Sequence, residues 1–118
     1  MHPEKLQESA REASALLKAM SNEHRLLILC QLMPGEKSVG ELVRSVGLSQ
    51  SALSQHLARL RRDQLVRTRR EAQTIYYSIA STAPVVLLRL LDQMFCGETG
   101  LIGHDHWPPR VVGAVAPA

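Results

Sequence analysis

Cysteine and aromatic residues are scarce in this chain of 118 residues. Only two cysteines occur, Cys30 and Cys96, and aromatic side chains make up 3% of the sequence. Two distant cysteines do not form the dense disulfide framework of a small secreted domain, and no Cys-x-x-Cys motif indicates a dithiol oxidoreductase. We therefore expect neither an enzyme nor a cofactor, and the two thiols are either buried core residues or functional groups.

Long apolar runs are also absent. No stretch of about 18 apolar residues is present to span a bilayer, and the N-terminal residues lack the basic and apolar regions of a signal peptide. We expect a soluble, cytoplasmic protein without a membrane partner. The length predicts one domain, which we place at residues 1–97, followed by a flexible tail rich in Gly and Pro at residues 98–118.

The sequence does contain a helix-turn-helix pattern in residues 39–62. An apolar stripe over residues 39–46 predicts a short helix, and Gly47 follows where a helix C-cap adopts a left-handed conformation. Ser49 is the expected N-cap of a second helix. Three leucines at helical spacing define the buried face of that helix: Leu53, Leu57 and Leu60. Two helices joined by a short turn containing Gly are typical of DNA-binding domains.

A basic hairpin is predicted after the second helix. Residues 65–69 and 74–79 alternate β-branched or aromatic side chains with polar ones, which predicts two strands. The residues between them lack glycine, which predicts a turn longer than two residues. Seven arginines and one acidic residue, Asp63, lie in residues 44–70, whereas the net charge of the whole chain is +3. A basic cluster confined to this region favours double-stranded DNA as the partner over an ordinary solvated surface.

The predicted DNA contacts lie on the polar face of the second helix and in the hairpin. Ser and Gln side chains hydrogen-bond base edges in the major groove, and arginines bind phosphates. The residues expected to contact DNA are Gln50, Ser51, Ser54, Gln55, His56, Arg59, Arg62, Arg69 and Arg70.

The remaining helices are predicted to supply the core and a dimer interface. Residues 4–19 form an amphipathic helix with a narrow apolar stripe, for which packing within one subunit is the alternative. Residues 21–33 are too apolar for a surface helix and are expected at the centre of the core. Residues 82–96 are apolar over most of the helix circumference and require a partner surface. The predicted fold is mainly α (α+β): a winged helix-turn-helix with about five helices and a two-stranded β-wing, forming a homodimer through its first and last helices.

This order of elements resembles the ArsR/SmtB family of dimeric winged-helix repressors. Residues 16–29 resemble the family's N-terminal signature, residues 48–57 its recognition helix, and residues 70–79 its wing. The resemblance covers residues 14–96 and implies a repressor that binds operator DNA as a homodimer.

The metal-binding motifs common in that family are absent here. One metal class has cysteines directly before the helix-turn-helix, where residues 36–42 of this chain contain none. Another class combines Asp and His on the last helix, but no His lies two residues after Asp92. We therefore expect no metal site.

Cys30 and Cys96 match the pattern of the family's thiol-based branch, with one cysteine on the core helix and one on the last helix. The resemblance implies that a reactive sulfur species or an oxidant links the two thiols through a disulfide or polysulfide bridge and releases the repressor from its operator. A disulfide requires Cα atoms about 4.4–6.8 Å apart, and inserted sulfur atoms extend that span. Attack requires a thiolate.

Two alternatives remain from the sequence. The protein is a metal- or metalloid-responsive repressor that uses Cys30 and Cys96 together with His104 and His106 of the tail, or it binds DNA constitutively and its thiols are inert. Trivalent arsenic prefers three thiolates, and each chain supplies two.

Overall fold

The structure is a computed structural model and describes residues 2–95. Its elements in chain order are α1 (Pro3–Met20), α2 (Glu23–Leu32), β1 (Lys37–Ser38), α3 (Val39–Val46), α4 (Gln50–Arg62), β2 (Val66–Glu71), β3 (Thr74–Ile79) and α5 (Thr82–Phe95). The predicted mainly helical α+β class with five helices is confirmed. Cys96 and the predicted tail at 98–118 lie outside the described residues. The described residues divide into two units, the first extending to Val85 and the second beginning at Val86.

The helix-turn-helix is α3 and α4, and hydrogen bonds define the ends of both helices. The Ser38 Oγ accepts from the backbone N–H of Glu41 at 3.2 Å, and the Ser38 N–H donates to the Glu41 carboxylate at 3.0 Å. Gly47 ends α3 with φ of +80°, and the Ser49 Oγ begins α4 by accepting from the backbone N–H of Ala52 at 3.1 Å. The predictions for Gly47 and Ser49 are therefore confirmed.

The core of the first unit is aliphatic and centred on α2, α3 and α4. The three leucines predicted for the buried face of α4 are almost completely buried. Their buried partners in this unit are Ala19, Met20, Ile28, Leu29, Leu32, Leu42, Leu65 and Val66. Because one face of α4 is fixed by this core, the opposite face is presented to solvent in a defined orientation.

The predicted two-stranded wing is present, and a third strand that was not predicted joins it. β2 and β3 form the expected antiparallel hairpin, and β1 adds to the free edge of β3 with Lys37 opposite Tyr77 and Ser38 opposite Tyr76. β1 is only two residues long, so it carries no alternating pattern that a sequence could show. Its strand character comes from pairing with a distant segment.

The hairpin turn is also shorter than predicted. β2 ends at Glu71 and β3 begins at Thr74, so only two residues connect them. Ala72 adopts φ of +55°, and its carbonyl accepts from the Arg70 Nε at 3.2 Å. The missing glycine was misleading because an alanine takes the left-handed conformation at this turn.

The apolar residues of α1 are buried at its C-terminal end and mostly exposed along the rest of the helix. Ala19 and Met20 are buried at the C-terminal end, whereas Leu6 and Leu17 are 53% and 56% exposed. Within residues 2–95 no helix is both long and apolar enough to cross a bilayer.

Candidate nucleic-acid interface

The exposed face of α4 carries most of the residues predicted to contact DNA. Because the leucines of α4 are buried at helical spacing, the side chains on the far side of the helix point into solvent. On α4, the exposed residues among those predicted are Gln50, Ser51, Ser54, Gln55 and Arg62. The face therefore combines hydroxyl and amide groups with a cation along one side of a helix, which suits a major groove.

Arg59 lies beside this face but is paired with an acidic residue. Its Nε donates to the Asp63 Oδ2 at 2.7 Å, one helical turn away, and the Arg62 Nε is 3.6 Å from the other carboxylate oxygen. The hydrogen bond from Arg59 lowers the pKa of Asp63 below its ordinary value, so this residue is a carboxylate at neutral pH. The charge of Arg59 is partly balanced by Asp63 at the C-cap of α4, and Arg62 remains the more exposed cation.

His56 lies at the junction of α4 with the ends of α1 and α2. Its ring centroid is 5.7 Å from that of His24, and its Nδ1 is 3.5 Å from the Arg25 Nη1. The Arg25 Nε in turn donates to the Ala19 carbonyl at 2.7 Å, at the end of α1. Burial, followed by the nearby charges of Arg25 and His24, lowers the pKa of His56 below its ordinary value. The half-buried neutral ring therefore packs helices together, away from the exposed face.

The two wing arginines named from the sequence have different surroundings. Arg70 is exposed at the tip, where its Nε donates to the turn carbonyl of Ala72. Arg69 forms hydrogen bonds with two carboxylates, those of Glu36 and Glu71. The hydrogen bonds that Arg69 donates, chiefly to Glu36 and then to Glu71, raise the pKa of Arg69. Arg70 alone of this pair presents its charge without a carboxylate partner among residues 2–95.

A groove beside α4 contains three residues that were not predicted to contact DNA: Ala58, Arg61 and Tyr77. It has a volume of about 450 Å³ and is lined by Ser54, Ala58, Arg61, Arg62 and Tyr77. Arg61 is exposed and belongs to the run of arginines near the end of α4. That run was the sequence signal that could have identified it as a DNA contact. Tyr77 comes from β3, so its approach to α4 depends on tertiary packing. Arg67, on β2, is also exposed.

Cys30 is an exposed residue on α2, not a core residue. Cys96, His104 and His106 lie outside the described residues. Within residues 2–95, no three His, Cys, Asp or Glu side chains are close enough together to hold a metal ion.

Comparison with known proteins identifies the family. Residues 22–68 match the model described as bacterial regulatory protein, arsR family. The chain is 52% identical over 96 residues to the transcriptional activator HlyU of Vibrio cholerae, an alignment that covers 81% of this chain and 89% of HlyU. The family match includes α2, α3, α4 and the start of β2.

Solved structures are similar over the same region. Reduced HlyU from Vibrio cholerae has a TM-score of 0.75 at 53% identity, covering 79% of this chain and 98% of that structure. The transcriptional repressor BigR from Xylella fastidiosa has a TM-score of 0.76 at 38% identity, with coverages of 83% and 100%. A homodimeric winged helix-turn-helix domain from Mycobacterium bovis has a TM-score of 0.67 at 28% identity, with coverages of 77% and 84%. This chain therefore belongs to the ArsR family of DNA-binding transcription regulators and has its winged helix-turn-helix fold.

Proposed function

We propose that this protein is a homodimeric repressor that binds operator DNA when its thiols are reduced and leaves it when Cys30 and Cys96 become linked. The exposed polar face of α4 is the observation that supports DNA recognition most directly. Gln50, Ser51, Ser54 and Gln55 supply groups for base edges, and Arg62 and Arg70 supply exposed cations for the backbone. Arg61 and Arg67 add charge on the same two elements.

Exposed apolar residues support a homodimer. On α1, Leu6, Ala10, Ala13 and Leu17 follow helical spacing and are all exposed. In the second unit, α5 independently exposes Val86 at 58% and Leu90 at 47%. A small chain gains by covering such surfaces with a second copy. The Mycobacterium bovis relative is named as a homodimer, and we extend that state to this chain.

Cys30 is exposed, which supports a thiol that reactive sulfur species and oxidants can reach. The name of one similar structure, reduced HlyU, specifies a redox state for that relative. In a persulfide reaction, each cysteine thiolate takes one sulfur atom from a persulfide molecule and releases the corresponding thiol. One protein persulfide then attacks the inner sulfur of the other and displaces hydrosulfide, which leaves a trisulfide. With a disulfide oxidant, the two thiols lose two electrons and two protons, and the oxidant is reduced to two thiols.

Binding to a duplex that the reduced protein enriches from a random-sequence pool tests this proposal. Fluorescence anisotropy would measure binding of this duplex by the reduced protein. The measurement would then be repeated after treatment with an organic persulfide, a disulfide oxidant, zinc or arsenite. Intact mass would be measured on each sample. We expect release with the persulfide, accompanied by one added sulfur and the loss of two hydrogens for each chain. Loss of binding only with zinc or arsenite, with unmodified thiols, would instead favour a metal-responsive repressor.

Matched variants separate the sensor from constitutive binding. Cys30→Ser and Cys96→Ser should bind the duplex as tightly as the reduced wild type but remain bound after persulfide treatment. Wild-type protein that stays bound while its cysteines are fully linked would exclude the thiol switch.

The names of the relatives include both an activator and a repressor, so transcription from a template containing the selected duplex would be measured with reduced protein. We expect it to fall.

A further inference from the structure

Arg69 is the most extensively bonded side chain of the wing. Its Nη2 donates to the Glu36 Oε1 at 2.6 Å, and its Nε donates to the other Glu36 oxygen at 3.2 Å. Its Nη1 donates to the Glu71 Oε2 at 3.0 Å, and its guanidinium carbon lies 4.6 Å from the centre of the Tyr76 ring. The two parallel hydrogen bonds to Glu36 are the geometry in which Arg binds a carboxylate most specifically.

The local charge opposes a phosphate at this position. One guanidinium cation is paired with two carboxylates, so the cluster of Arg69, Glu36 and Glu71 carries net negative charge. A DNA phosphate would have to displace a carboxylate from the guanidinium and would then lie beside that anion. The hydrogen bond from Arg69 also lowers the pKa of Glu36, which therefore stays ionised at neutral pH.

The same cluster connects segments that are far apart in the chain. Arg69 belongs to β2, whereas Glu36 immediately precedes β1 on the other side of β3. Arg69 pairs with Tyr76 across the hairpin, and Tyr76 pairs with Ser38, which is also the N-cap of α3. The ion pair between Arg69 and Glu36 therefore spans the sheet. It connects the wing to β1, the strand that directly precedes α3.

We infer that Arg69 is a positioning residue that fixes the wing against the segment preceding α3, and that Arg70 makes the phosphate contact of the wing. This inference rests on the DNA binding proposed above. It replaces the expectation from the sequence that Arg69 and Arg70 act alike. With β1 only two residues long, its pairing with β3 has few hydrogen bonds of its own, and the ion pair holds the third strand in place.

Salt dependence distinguishes a positioning residue from a phosphate contact. Each phosphate contact contributes about 0.9 to the slope of log K against log salt, so removing one from both subunits changes the slope by about 2. The probe is the duplex enriched by the reduced wild-type protein, and Arg70→Ala should reduce the magnitude of the slope by that amount. Arg69→Ala should leave the slope unchanged and weaken binding by the same factor at every salt concentration, up to about fivefold for each half-site.

Glu36→Ala should change DNA affinity in opposite directions, depending on whether Glu36 competes with DNA for Arg69 or helps Arg69 to position the wing. If Glu36 merely competed with DNA for Arg69, its removal would free a cation, remove an anion and strengthen binding. For the positioning role, Glu36→Ala weakens binding as much as Arg69→Ala does, and the double variant is no weaker than either single variant. Tighter binding by Glu36→Ala, or a reduced slope for Arg69→Ala, would overturn the inference, as would an unchanged slope for Arg70→Ala.

Amide hydrogen exchange tests the structural part without DNA. Exchange at the β1–β3 pairing should become faster in Glu36→Ala and Arg69→Ala, because the third strand is less well held. Arg67→Ala is the matched control, since Arg67 lies on the same strand and face and has no ion pair among residues 2–95. Equal exchange in all three variants would contradict the positioning role. Wild-type protein that binds no duplex would refute the proposed function instead, and exchange would still decide the role of Arg69.

Discussion

Gly40 in α3 and Gly47 at its C-cap should respond to alanine substitution with opposite changes in stability. Gly47 has φ of +80°, and a Cβ built there meets nothing within 4 Å, so the cost of Gly47→Ala is entirely conformational. A left-handed conformation costs an L-residue about 1–2 kcal/mol. Gly40 lies within the helix, where its Cβ would be 3.6 Å from the Arg44 Nη1, an ordinary contact. Gly40→Ala should therefore stabilise the fold by about 0.5–1 kcal/mol.

Thermal and urea unfolding at equal protein concentration would measure both variants, because the stability of a dimer depends on concentration. For a domain of this size, 1 kcal/mol shifts the midpoint by about 4–8 °C, so the two variants should fall on opposite sides of the wild type. Gly47→Asn should recover part of the loss, since Asn tolerates the left-handed region better than Ala does. A Gly47→Ala variant as stable as the wild type would refute the assigned turn conformation.

Three further substitutions have defined effects on stability. Ser49→Ala removes the oxygen that caps α4 and should cost about 1 kcal/mol in urea unfolding, whereas an unchanged midpoint would exclude the cap. His56 has a lowered pKa, so the unfolded chain binds the proton more readily; stability should fall as pH decreases below about 6.5, and His56→Gln should reduce that dependence. Asp63 also has a lowered pKa, so its contribution is present above its ordinary value of 3.8 and is lost as pH falls through its folded value. Asp63→Asn should be less stable than the wild type at neutral pH, and its stability should depend less on acid pH. It should also bind DNA more tightly, because Arg59 loses its partner. If its stability fell with acid as much as that of the wild type, the assigned role of Asp63 would be wrong.

Local signals in the sequence were sufficient to locate the helix-turn-helix. Gly47 and Ser49 mark the turn because each residue type suits one backbone conformation or one hydrogen bond at that position. The spacing of the leucines in α4 is a direct consequence of helix geometry, so both the buried and the exposed face followed from it. The predicted boundary of α3 agrees with the structure for the same reason.

Features that depend on distant partners were not predictable in this way. β1 exists as a strand because it pairs with β3, and nothing in two residues indicates that pairing. The bond between Arg69 and Glu36 joins residues 33 positions apart. His56 flanks the buried stripe of α4, so its spacing left both a structural role and a DNA contact open. Helical periodicity shows the angular position of a side chain but not what packs beside it. The sequence could therefore identify which arginines were concentrated in the wing, but not which of them were already paired.

The salt dependence of DNA binding tests the central claim that α4 and the wing bind a duplex through their exposed cations. With Arg59 and Arg69 paired to carboxylates, the exposed arginines of α4 and the wing are Arg61, Arg62, Arg67 and Arg70. We expect about three phosphate contacts in each subunit, so a homodimer should neutralise about six phosphates. The slope of log K against log salt for the selected duplex and reduced wild-type protein should then be near −5. A slope near zero would contradict DNA recognition by this surface.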